Sequence, residues 1–380
     1  MTKLKGMTWN HERGVRPLVE ASEIFKQRHG VEITWDARSL SDFELFPLDE
    51  LASKYDFIMI DHPHIGVAHA ENLLIPLEDR LSAQFLAEQR DGSVGKSYES
   101  YSWEGHQYAI PLDAAAQVSV AREDLLNSSM PTTWTELFEM VAKLPSDKKM
   151  AIPFVPVHAY SSFFTLASQL GGGDIFWRKG APLDEEVGIE VLTLLEKIVS
   201  LSHPDSKDMD PINMLDRMVA ADEIVYSPLV YGYSNYSRAG YADNIVTFRD
   251  MPRTAEHPSG SMIGGVGLSI SSKCKDIDAA IKFAEMVSVP AFQKGEINDA
   301  NGQPGHVEAW KDAKVNADSN NFFINTLETL TYGSLRPRFN GYIEFQAQAG
   351  AKIREFVVAA SGDKRKFIQE LNALVVKCML

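Results

Sequence analysis

The chain has 380 residues, of which 44% are hydrophobic, a formal net charge of −15 and two cysteines. That length and apolar content exclude a disordered chain and point to two domains with a sizeable core, and the acidic balance argues against a general nucleic-acid or anionic-membrane surface. Cys274 and Cys378 lie far apart in no metal-ligand spacing, so a single bridge is the most the cysteines allow.

The opening MTKLKGMTW lacks the apolar stretch of an export signal, so the expectation is either a signal already removed or a chain kept in the cytoplasm. No apolar run is long enough to span a bilayer. Lys3 to Trp9 reads as a strand. A helix is predicted from near Val15, with Leu18, Ala21, Ile24 and Phe25 on one face, Pro17 in its first turn and Gly30 after its end. Val31 to Asp36 is a second strand, Pro47 to Lys54 a short helix and Phe57 to Asp61 a third strand. This βαβαβ order implies a mainly parallel sheet with right-handed crossovers. The first strand is followed by Asn10-His11-Glu12-Arg13-Gly14, not by a glycine-rich dinucleotide turn, and no phosphate loop occurs. Farther on, Thr133 is a predicted N-cap with Glu136 as its capping-box partner. Ile152 to Met251 reads as mixed helices and loops, Gly264 to Ser271 as a strand, and beyond residue 311 helices predominate, Ile324 to Leu330 and Gly341 to Ala359 among them.

Ligands of open parallel sheets bind beyond the carboxyl ends of the strands. The three loops there carry Trp9, Asn10, His11 and Arg13, then Arg38 and Ser39, then Asp61, His62 and His64, so three histidines and two arginines are expected to face one cleft. A second aromatic set, Tyr231, Tyr233 and Tyr236, offers apolar ring faces with hydroxyl tips. Tyr160 and Phe163 are weaker candidates. Gly264 and Gly265 are expected either to let the backbone approach a ligand closely or to take an unusual conformation near the hinge, with a purely structural role equally open. Trp134 and Trp310 read as packing residues, and Arg336 and Arg338 as solvated residues of a surface turn.

In order and spacing, the stretch from Gly105 to Arg122, PTTWTEL at 131–137, the GGVGLSIS run from Gly264, NDANGQPGHVE at 298–308 and SLRPRFNGY at 334–342 resemble bacterial extracellular solute-binding proteins of the type that includes maltose-binding protein, over nearly the whole chain. The resemblance implies an α/β, two-lobed periplasmic-binding-protein-like fold, each lobe a mainly parallel sheet flanked by helices, joined by a hinge. Residues 1–112 with 262–310 would form the N-terminal lobe and 113–261 with 311–380 the C-terminal one. It also implies a periplasmic monomer that closes over a small polar solute and delivers it to an ABC transporter permease, with no cofactor, no metal and no nucleic acid.

Carbohydrate is the commonest ligand of that family. Here the cationic loops shift the expectation toward an acidic or strongly polar solute, an acidic sugar among them, with Arg13 and Arg38 forking onto a carboxylate. Two alternatives keep the fold: a metal-ion binder using His62, His64, His11, Asp61 and the tyrosines, and a cytoplasmic sensor or carrier with no transporter. An enzyme is disfavoured, since the chain has no nucleophile elbow, phosphate loop or signature carboxylate pair.

Overall fold

A computed structural model describes residues 2–39, 43 and 47–379. The chain divides into a first unit of Met1–Ala114, Gly264–Asn316 and Arg338–Asn340, and a second of Ala115–Ile263, Ala317–Pro337 and Gly341–Leu380. The strand Ala109–Ala121 carries the chain from the first to the second.

In the first unit Lys3–Trp9 lies between Glu32–Arg38 and Phe57–Ile60, parallel to both. Phe57–Ile60 then pairs antiparallel with Ile263–Ile270, whose other neighbour is Ala109–Ala121. Leu4, Met7, Phe57, Ile58, Leu268 and Ile270 are buried in one core with Leu18 and Phe25 of the helix Glu12–His29. That helix starts earlier than the predicted Val15 because His11 caps it: the imidazole Nδ1 accepts the Arg13 N–H at 3.1 Å. Histidine is not among the favoured N-caps, which is why the start was misplaced. Pro17 consequently lies inside the helix and not in its first turn. Gly30 ends it in the left-handed region, at φ 68°, donating its N–H to the Lys26 carbonyl. The third strand stops at Ile60, because Asp61 caps the short turn His62–His64 by accepting the His62 N–H.

In the second unit Ile224–Tyr231 pairs antiparallel with the far half of Ala109–Ala121 and parallel with Lys149–Met150, and Thr247–Arg249 joins the crossing strand antiparallel. The helix Trp134–Val141 opens with the predicted capping box of Thr133 and Glu136. Around the sheet pack Pro156–Leu170, Glu185–Leu201, Pro211–Ala220, Tyr342–Ala359 and Lys364–Cys378. The core on the helical side is aromatic. Phe163 and Tyr160 stack on Trp177, with centroids 5.9 and 6.1 Å away, and Phe345 meets it edge-on at 5.0 Å. Trp177 itself has φ 60°, a costly conformation for a bulky residue. It is held there by that packing and by an indole N–H bond of 2.8 Å to Asn372 Oδ1.

The predicted helix Ile324 to Leu330 is two short ones, Phe322–Asn325 and Leu327–Thr331. Thr326 breaks it, its hydroxyl bonding back to the Phe322 carbonyl at 2.8 Å. Trp134 and Trp310 are buried, each donating its indole N–H inside the protein, to Gln169 and to the Pro304 carbonyl. Cys274 and Cys378 are both free thiols. No helix among the described residues is long and apolar enough to cross a membrane.

Candidate ligand-binding site

The register of the first unit's sheet pairs Trp9 with Arg38, and the Asn10 N–H reaches the Arg38 carbonyl at 2.5 Å. Since Gly6 and Met7 pair with Phe57 and Ile58 on the other side, the three loops leave the sheet at one edge. Within this group the side chains differ sharply in availability. Asn10 and Ser39 are exposed, and His11, Arg38 and Asp61 are partly exposed.

The other predicted residues turn inward. Trp9 is buried against Phe43, with centroids 5.7 Å apart, and against Gly14, where a Cβ would stand only 2.6 Å from the indole. His62 is wholly buried, edge-on to Tyr101 at 6.4 Å, and His64 is buried as well.

Arg13 departs most from expectation. Its guanidinium fork does not stand open for a ligand carboxylate: Nε donates to Asp113 Oδ2 at 2.6 Å and NH2 to Asp113 Oδ1 at 2.5 Å, with both side chains buried. The two parallel bonds fix orientation as well as distance. Burial pushes the Asp113 carboxyl above its ordinary range, and the Arg13 charge and hydrogen bonds pull it back down. His11, desolvated and beside the same arginine, is lowered to about 4 and is neutral at pH 7, as its capping role requires.

Asp113 was missed in the sequence, although a lone carboxylate in the apolar run of Ala109–Ala121 is a signal that a buried partner exists. It is the next to last residue of the first unit on that strand, and the segment around it is tightly tied. Ala114 exchanges bonds with Gln303, backbone N–H to carbonyl at 3.1 Å and side-chain amide to carbonyl at 2.8 Å. Gly265, at φ 93°, presses on the Asp113 carbonyl, where a Cβ would come to 2.4 Å. Of the roles expected for this glycine, the structure shows the unusual conformation and a close approach to a neighbouring strand. Gly264 lies beside it in Ile263–Ile270, partly exposed.

In the second unit the tyrosine set separates. Tyr231, partly exposed, ends its strand opposite Gln117 and meets the His158 imidazole edge-on at 6.0 Å. Tyr233 and Tyr236 are buried. Tyr236 donates its hydroxyl to Asp216 at 2.7 Å and packs on Tyr241, so the turn after Gly232 carries it into the fold, away from Tyr231.

Around Tyr231 the structure gathers residues that the sequence reading placed elsewhere. Arg336 is buried, not solvated, and donates to Gln346 Oε1 at 3.2 Å. Its charge bears on His158, Tyr160 and Tyr342. The Tyr160 and Tyr342 hydroxyls share a hydrogen bond of 2.6 Å. His158 is driven down to about 3 by burial and by Arg336, and its Nδ1 has no hydrogen-bond partner among the described residues. The neighbouring Arg338 is partly exposed and belongs to the first unit, donating to the carbonyls of Glu99 and Ser100. Nothing local in LRPRF distinguishes these two arginines. Among the described residues no group of three or more His, Cys, Asp or Glu side chains is placed to hold a metal ion.

Two α/β units joined by a strand that belongs to both, with polar loops at one sheet edge and an aromatic cluster in the other unit, define a two-lobed solute-binding fold. The profile of the bacterial extracellular solute-binding protein family matches residues 8–294, and the chain belongs to that family. Solved structures agree over the whole length. The ABC transporter solute-binding protein of Agrobacterium radiobacter K84 in complex with ribitol aligns with 99% of this chain and 98% of its own at TM-score 0.82 and 18% identity. Maltose-bound MalE3 of T. maritima aligns with 99% and 100% at 0.83 and 16% identity. The tagatose-bound solute-binding protein of Thermotoga lettingae TMO aligns with 100% of both chains at 0.82 and 14% identity. At these identities the likeness shows the fold alone. No curated protein matches the sequence.

Proposed function

We propose that this protein binds a sugar or polyol and hands it to an ABC transporter permease by hinge closure, acting as a periplasmic monomer that binds without turnover. The observation that carries the reading is the family match over residues 8–294. It is supported by the ribitol, maltose and tagatose in the structures of similar fold. A neutral polyhydroxyl ligand also fits the first unit, where the Arg13 charge is already met by Asp113 and His11 is uncharged. We take Asn10, Arg38, Ser39 and Asp61 as that unit's contacts, and Tyr231 and His158 as those of the second, where a tyrosine ring offers a face to sugar C–H groups. Closure requires that the ligand interact more favourably with the closed state than with the open one.

An acidic sugar is the second reading: Arg38, partly exposed at the sheet edge beside Asn10 and Ser39, offers a guanidinium that a carboxylate can meet. A thermal-shift screen tests both, because a ligand that binds only the folded state raises Tm by mass action. Neutral sugars and polyols are expected to give the largest shifts. Shifts confined to uronates and aldonates establish the second reading, and shifts confined to amino acids overturn both.

A further inference from the structure

We propose that the first unit carries a two-histidine site for a late first-row divalent ion, made by His69 and His106 and separate from the loops assigned to the solute. His69 lies on the helix Ile65–Ala70 and His106 in the hairpin of Ser102–Trp103 and His106–Gln107. Their rings stand 5.8 Å apart, and each is 6.0 Å from the ring of Tyr108.

Both imidazoles are anchored through the same nitrogen. His69 Nδ1 bonds the Tyr108 hydroxyl at 2.7 Å, and His106 Nδ1 bonds the Glu78 carboxylate, whose other oxygen accepts the Gln107 N–H at 3.1 Å. Neither Nε2 has a partner among the described residues. A carboxylate accepting Nδ1–H fixes the tautomer of His106 with its lone pair on Nε2, and the Tyr108 hydroxyl, which can donate or accept, lets His69 take the same tautomer when an ion occupies its Nε2. That arrangement, one ring nitrogen held by an oxygen and the other left open, is how metal-binding histidines are oriented and made more basic.

The spacing agrees. With metal–nitrogen bonds of about 2.1 Å, two imidazoles sharing an ion hold their ring centres roughly 5 to 6.5 Å apart. The side chains are reachable, with His106 44% exposed and Glu78 34%. The Glu78 charge also offsets part of the cation's. Two protein ligands leave the remaining positions to water, which makes an exchangeable site. Imidazole ligation and the usual order of affinities place Cu2+ above Zn2+.

The test is calorimetric titration of the untagged, chelator-stripped protein with Cu2+ and with Zn2+, joined to electron paramagnetic resonance of the Cu2+ form. One ion per chain is expected, with hyperfine coupling from two imidazole nitrogens. His69→Gln and His106→Gln should each weaken binding at least tenfold, and Glu78→Gln roughly tenfold, while circular dichroism confirms that each variant is folded. Absence of stoichiometric Cu2+ binding overturns the proposal. So does unchanged binding by the folded H69Q/H106Q variant, which would move the ion to other histidines.

Discussion

In the first unit a buried cation meets a buried anion, Arg13 on Asp113, and the bond is closed on itself. In the second, the buried polar groups around Tyr231 include a phenol pair and a neutral histidine whose Nδ1 has no partner among the described residues. The contrast is one of purpose. A bidentate ion pair resists rearrangement and suits the place where Ala109–Ala121 leaves the first unit, tied there also by Gln303 and pressed by Gly265. The phenols and the neutral histidine, held in low dielectric, keep hydrogen-bonding capacity that a ligand can use, at the risk of an unsatisfied atom when none is bound.

The largest expected effect tests the closed bond. Asp113→Ala removes the anion that meets the buried Arg13 charge, and removal of one member of a buried pair costs about 3–5 kcal/mol. Urea denaturation should show that loss. The double variant R13M/D113L, which replaces both by apolar groups of similar size, should recover most of it, since such replacements are often neutral or stabilising. A cost near zero for Asp113→Ala would mean that water reaches the pair in solution, and the contrast between the units would collapse.

Much of this architecture was readable in the chain. The alternation of Lys3–Trp9 and the capping box at Thr133 are local signals, and local physics decides them. The polar loops at the sheet edge followed from topology. What escaped were pairings distant in sequence: Arg13 with Asp113, Tyr160 with Tyr342, and the burial of Arg336 beside Gln346. A guanidinium looks equally suited to a ligand carboxylate or an internal one, and only the neighbour decides. The same holds for His11, whose ring nitrogen serves as a cap in place of the serine or aspartate that helix-start rules expect.

Acid sharpens the comparison next. His158 has a folded pKa of about 3 and His11 one of about 4, both below the ordinary 6.5. Each is therefore neutral when folded and takes up a proton more readily when unfolded. Their contribution is fully present above about pH 6.5 and is lost as pH falls toward those folded values. For each the loss by pH 5 is about 2 kcal/mol, and the two part only below about pH 4, where His158 goes on losing after His11 has reached its folded value. Asp250, raised to about 6 by burial, works the other way: its penalty is relieved as pH falls through 6. The chain should thus lose stability between pH 7 and 5, and His158→Gln and His11→Asn, the latter keeping an N-cap oxygen, should each flatten that slope by a similar amount, with His158→Gln alone still flattening it below pH 4. Equal slopes in wild type and His158→Gln would show that His158 is hydrated, not buried neutral.

The smallest effect concerns the phenol pair. Tyr342→Phe removes one hydroxyl of the 2.6 Å bond and leaves that of Tyr160, which is wholly buried, without it. Leaving a buried neutral group unsatisfied costs about 1–2 kcal/mol, less than stranding a charge. Adding Tyr160→Phe should restore part of the loss, because removing both partners of a neutral bond is far less costly than removing one. The double-mutant cycle in urea isolates the pairwise energy. A coupling of about 1 kcal/mol, against several for Arg13 and Asp113, is what the difference between a neutral and an ionic buried pair requires. A Tyr160–Tyr342 coupling as large as the ionic one would mean that the second unit is as rigidly closed as the first, and that its polar groups are committed before any ligand arrives.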